Sequence, residues 1–198
     1  FNFLRGIKGV SYDMRKIPDK VKAACEMYDQ MNMPVFSQLA DSKPTDHNCA
    51  FDLSSVMLGH TILNPRQWEM FYWPSLKEVL DAVVASDATV YIFVEGSFKR
   101  FWDYFKDFPK GHIALHTEQD DIFELKDALP NCCIAGGMPA SLLGRGTPEQ
   151  CVSYAKRLVD EVGADGGFIL SQDKMISYRN DTKPENLKAV CDFVNHYR

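Results

Sequence analysis

Three consecutive apolar runs of this sequence each end on a side chain able to bind a metal or move a proton. His60 follows the run 51–58, Glu95 follows 89–94, and His116 follows 112–115. Imidazole and carboxylate are both zinc ligands, and a catalytic zinc keeps one position open for substrate or water. Glu95, His116 and His60 are therefore the candidate metal ligands. Gly136 and Gly137 come after the run 132–135. Lacking side chains, they suit either close approach of a flat cofactor to the backbone or a tight turn. Ser171, Gln172, Asp173 and Lys174 follow 167–170, with Asp173 and Lys174 the candidate catalytic groups. Of the other histidines, His112 begins its run, and His47 and His196 read as surface residues.

These side chains work together only if their runs are neighbouring parallel strands. Strands lie about 4.8 Å apart, so adjacent strand ends can share one ligand. Helical spacing is expected over 18–33, where Val21, Ala24, Cys25 and Tyr28 recur at threes and fours. A polar loop spans 40–50. Asn64-Pro65 reads as a cap with Pro in the first turn, opening a helix through Trp68, Phe71, Tyr72 and Leu76 to about residue 85. The β-branched and aromatic run TVYIFV (89–94) reads as a buried strand.

An amphipathic helix is expected over 97–108, ended by Pro109 and Gly111; its aromatics are dense enough to form core or a partner surface. Helices are also expected over 122–129, from the Thr147-Pro148-Glu149-Gln150 cap to about 162, and from Pro184 to about 197. Strands that alternate with helices in this way form parallel βα units, either an open doubly wound sheet or a (β/α)8 barrel. No GxGxxG or GxxxxGK[ST] follows any strand, which removes the usual phosphate-binding reason for the open sheet.

Composition narrows the function further. The 198 residues carry 22 Lys+Arg against 27 Asp+Glu, a net charge of −5. An acidic chain is not expected to bind nucleic acid or an anionic membrane surface, which need a basic face. No apolar run reaches the roughly 18 residues of a membrane-spanning helix. No leader opens the sequence, and the six cysteines form no CxxC pair. Reduced thiols in a cytoplasmic protein are the expectation.

Several segments, in order, resemble the uroporphyrinogen decarboxylase superfamily. They are FLRGIKGVSYDM (3–14), NPRQWEMFYWPSLKEVLDAV (64–83), VYIFVEGSF (90–98), HTEQDDIFELKDAL (116–129), IAGGMPASLLGRGTPEQCVSYAKRLVDEVGADGGFILS (134–171) and KPENLKAVCDFV (183–194). The resemblance implies an α/β fold, a parallel (β/α)8-type barrel, present here as an incomplete C-terminal portion with about five strands in one domain. Open barrel edges are costly, so a homodimer, or pairing with a missing N-terminal half, is expected.

Within that superfamily the VEG of residues 94–96 is similar to the FEG of the corrinoid- and zinc-linked anaerobic demethylases, which implies metal-site roles for Glu95 and His116. The HxC of the thiol-methylating branch is replaced by Phe93 and Glu95, and that branch's later cysteine is absent from SQDKMISY (171–178). The implied activity is methyl transfer between a corrinoid (cobalamin) and a small acceptor such as tetrahydrofolate, or from a methoxylated substrate, with a corrinoid protein as partner. The alternatives are a porphyrinogen decarboxylase, with Arg145 and Lys174 meeting acidic side chains, or an inactive subunit.

Overall fold

Five short segments carry the β-forming residues, and all five become strands. The computed structural model describes residues 2–38 and 50–197. The strands are β1 (Leu53–Met57), β2 (Val90–Val94), β3 (Ile113–Thr117), β4 (Cys133–Met138) and β5 (Phe168–Gln172), in one sheet ordered β1-β2-β3-β4-β5. A doubly wound sheet reverses its strand order at a switch point, whereas a barrel adds strands in sequence. The monotonic order, with helices between the strands, is that of a partial (β/α) barrel. The chain divides into two units, Phe1–Ile92 and Phe93–Arg198, with the boundary inside β2.

In the first unit, α1 (Asn2–Lys16) breaks its helical path at Gly6, whose φ of 71° suits glycine. The salt bridge from Arg5 Nε to Asp13 Oδ2, 2.6 Å, spans the break. The helix expected at 18–33 is present as α2 (Pro18–Ser37) and continues through Pro34. Val21 is buried and Cys25 half-buried, but Ala24 and Tyr28 of the expected inner face are exposed. The polar loop expected at 40–50 lies outside the described residues except for Ala50.

Asn64 caps the next helix through a reciprocal pair. Gln67 N donates to Asn64 Oδ1 at 2.9 Å, and Asn64 N donates to Gln67 Oε1 at 3.1 Å. That helix is not uniform: α3 (Pro65–Gln67) passes into a π-helical turn (Trp68–Tyr72) before α4 (Trp73–Ala85). The turn buries Trp68 and Phe71, so these aromatics are packing residues. The ring of Tyr72 sits where a side chain at Gly59 would be, with a Cβ there only 2.4 Å from it. Burial pushes the Tyr72 phenol up to about 12.

In the second unit, β3, β4 and β5 are parallel, with Leu115 level with Ile134 and Ile134 level with Phe168. The α-helix expected at 97–108 is instead a 3-10 helix (Lys99–Phe105). Three hydrogen bonds to the Asp120 carboxylate, from Ser97 Oγ, Phe98 N (3.0 Å) and Trp102 Nε1 (3.0 Å), hold its start. Phe98, Phe101, Trp102 and Phe105 are buried, so these aromatics are core.

Helices α5 (Ile122–Ala128), α6 (Ala140–Arg145), α7 (Pro148–Glu161) and α8 (Pro184–His196) complete the unit. Thr147 and Gln150 make the expected capping box of α7. Buried Asn186 ties α8 to the end of α6, its Nδ2 donating to Leu143 O (2.8 Å) and Gly146 O (3.0 Å). Cys25, Cys132, Cys133, Cys151 and Cys191 are free thiols. No described helix is long and apolar enough to cross a membrane.

Candidate functional site

The second unit gathers its polar side chains at the carboxyl ends of β3, β4 and β5. There the backbone turns away from the sheet, and side chains are released from strand packing. His116, expected just beyond its strand, lies inside β3 as the penultimate residue, because the strand begins at 113 and runs to Thr117. It is 4 % exposed. Its Nε2 is 2.7 Å from the Gln172 carbonyl. A carbonyl only accepts, so Nε2 carries the proton. Burial lowers the pKa of His116, partly offset by the Gln172 carbonyl and by the charge of Asp173. The imidazole is thus neutral at pH 7.

Two neighbours fix the ring. The Phe93 ring meets it edge-on, with centroids 4.7 Å apart and planes at 75°. Gly136 leaves room on another side, since a Cβ there would lie 3.0 Å from His116 Cδ2 and 2.9 Å from Thr117 O. Gly136 and Gly137 lie inside β4 rather than after it, with φ of 107° and 85°. A Cβ at Gly137 would lie 2.7 Å from Ile122 Cδ1. Gly137 also lines a pocket beside these strand ends.

A pocket of about 150 Å³ opens beside these strand ends, lined by residues that include Thr117, Glu118, Asp120, Asp121, Tyr154 and Asp173. Each carboxylate is held by a hydrogen bond. Glu118 Oε2 accepts from Gly96 N at 2.6 Å, tying the loop that carries Glu95 to the end of β3. Asp121 Oδ1 accepts from Phe123 N and Glu124 N as the cap of α5. Asp173 Oδ1 accepts from Ala140 N at 2.9 Å, at the start of α6. Burial raises the Tyr154 phenol; Arg157 opposes the shift, and Asp121 and Asp173 add to it. Tyr154 therefore keeps its proton. No Lys or Arg lines the pocket among the described residues.

Glu95 is exposed and follows β2 directly. Lys174 and Arg145 are exposed, and neither lines this pocket. His60 belongs to the first unit, in the 3-10 turn Gly59–Thr61, fully buried. Among the described residues, no group of three or more His, Cys, Asp or Glu side chains could hold a metal ion. Sequence reading passed over Thr117, Glu118, Asp120, Asp121 and Tyr154. The acidic string EQDD (118–121) was the available signal.

A comparison with protein-family models finds one described as Uroporphyrinogen decarboxylase (URO-D), matching residues 3–197. No curated protein matches the chain.

Proposed function

This chain belongs to the uroporphyrinogen decarboxylase family, and we propose that within it the chain serves methyl transfer between a corrinoid and a small methyl donor or acceptor. The observation that carries this reading is the acidic lining of the pocket by Glu118, Asp120, Asp121 and Asp173. A porphyrinogen decarboxylase must hold a substrate rich in carboxylates. Two like charges 4 Å apart repel by about 4 kcal/mol at an effective dielectric of 20. A polycarboxylate entering this pocket would meet that repulsion several times over. A methylated small molecule would not.

In this reading the small substrate sits among Thr117, Asp121, Tyr154 and Asp173, and the corrinoid is a co-substrate presented from outside by a partner protein. His116 is a positioning residue. Through the Gln172 carbonyl it fixes the end of β5, and so the place of Asp173. Tyr154, protonated at neutral pH, offers a hydrogen-bond donor to the atom that loses the methyl group. Glu95 stands at the rim, where an approaching cofactor would pass. A homodimer and a cytoplasmic location belong to the same proposal.

The test runs two assays in parallel on one preparation. The first follows methylcob(III)alamin formed from cob(I)alamin and methylated donors; the second follows decarboxylation of uroporphyrinogen. Methylation of cobalt without decarboxylation is the expected result. Decarboxylation without cobalt methylation overturns the proposal.

A further inference from the structure

Thr117 is the last residue of β3, only 2 % exposed, and it lines the acidic pocket. Its Oγ1 has no hydrogen-bond partner among the described residues. A buried hydroxyl left unmatched costs roughly 1–3 kcal/mol, so such a group is ordinarily satisfied by something bound beside it. Around it, the carboxylates have spare capacity. Glu118, Asp121 and Asp173 each use one oxygen on a backbone N–H. Their second oxygens, Oε1, Oδ2 and Oδ2, have no hydrogen bond among the described residues. Asp120 is different, since both of its oxygens are engaged by Ser97, Phe98 and Trp102.

We propose that this pocket binds a small organic cation, an N-methylated ammonium, with Thr117 and the spare oxygens of Glu118, Asp121 and Asp173 around its nitrogen. The ligand is cationic because the lining is acidic. It is an organic cation rather than a metal ion because no three acidic, His or Cys side chains among the described residues are close enough to hold a metal. It is small because the cavity measures only about 150 Å³. The Tyr154 ring adds an aromatic face, and such faces attract alkylated ammonium groups. The proposal names the substrate class of the methyl-transfer reading and rests on it only for calling the ligand a substrate.

The test is calorimetric titration of the intact protein with trimethylammonium chloride and, separately, with tert-butanol, a neutral molecule of similar size. Trimethylammonium is expected to bind and tert-butanol not to. Thr117→Val and Asp173→Asn are each expected to weaken binding about tenfold, and Asp173→Asn keeps an oxygen for Ala140 N if the valine variant does not fold. Equal binding of the two probes, unchanged affinity in the folded variants, or uptake of calcium with none of trimethylammonium overturns the proposal. Trimethylammonium that binds while no methylated donor methylates cob(I)alamin leaves this site standing and removes the methyl-transfer reading instead.

Discussion

His116 on β3 donates its Nε2–H to the backbone carbonyl of Gln172 on β5 at 2.7 Å, reaching across the intervening strand β4. One side chain thereby links two strand ends that have no backbone ladder between them. The residue after Gln172 is Asp173, whose carboxylate receives Ala140 N and faces the pocket. Strand geometry, imidazole tautomer and the position of a site carboxylate are coupled through this bond.

Removing the imidazole should therefore cost more than a surface change. His116→Ala leaves the Gln172 carbonyl without its donor and a gap beside Phe93, at about 3 kcal/mol. A urea unfolding curve checks this as a lower midpoint with unchanged slope.

The pH dependence has a definite sign. Because the folded-state pKa of His116 is depressed, the unfolded chain takes up the proton first as pH falls below about 6.5. Between that value and the folded pKa the unfolded state binds more protons, so stability rises with pH across this window. Stability should fall as the solution is acidified below about 6.5. In His116→Gln that slope should be smaller, as measured by unfolding midpoints across the same pH range.

Local rules were readable where the interaction is local. The caps at Asn64 and Thr147 were legible because a capping box closes within four residues. The run TVYIFV was legible as a strand because β-branched and aromatic residues suit a pleat, and Val90, Ile92 and Val94 are buried in its two-residue period. Gly136 and Gly137 read equally as a tight turn or as a place where a flat ligand approaches the backbone, because glycine permits both. They lie inside β4 because His116, Thr117 and Ile122 occupy the space their side chains would need. Residues 99–105 carry helical spacing, yet the segment is 3-10, its start held by Asp120 some 20 residues away. The acidic pocket was hidden for the same reason: apart from Asp121, which caps its own helix, its carboxylates are oriented by N–H groups 18 or more residues away that no short window contains.

The glycine account can be checked against an internal control. Gly136 and Gly111 have similar φ, 107° and 102°, but only Gly136 has atoms within reach of an added Cβ. Both alanine variants carry the strain of positive φ. Gly136→Ala additionally displaces Thr117 O or the His116 ring, so it should be less stable than Gly111→Ala by about 2 kcal/mol. Equal midpoints in thermal unfolding would refute the close packing at His116.

Asp120 holds the 3-10 helix rather than a ligand. Asp120→Ala frees Ser97 Oγ, Phe98 N and Trp102 Nε1 at once, with an expected loss of about 3 kcal/mol. Trp102 fluorescence should change with it, as the indole loses its acceptor and gains water. Asp120→Asn retains an acceptor oxygen and should recover part of the stability.

The most direct measurement follows a labelled methyl carbon by ¹³C NMR. The protein is mixed with cob(I)alamin and ¹³C-methyl donors, namely a methoxylated aromatic, trimethylammonium and methyltetrahydrofolate. The account predicts a cobalt-bound methyl signal from at least one donor, reduced in Asp173→Asn. No such signal from any donor, together with decarboxylation of uroporphyrinogen by the same preparation, would contradict it.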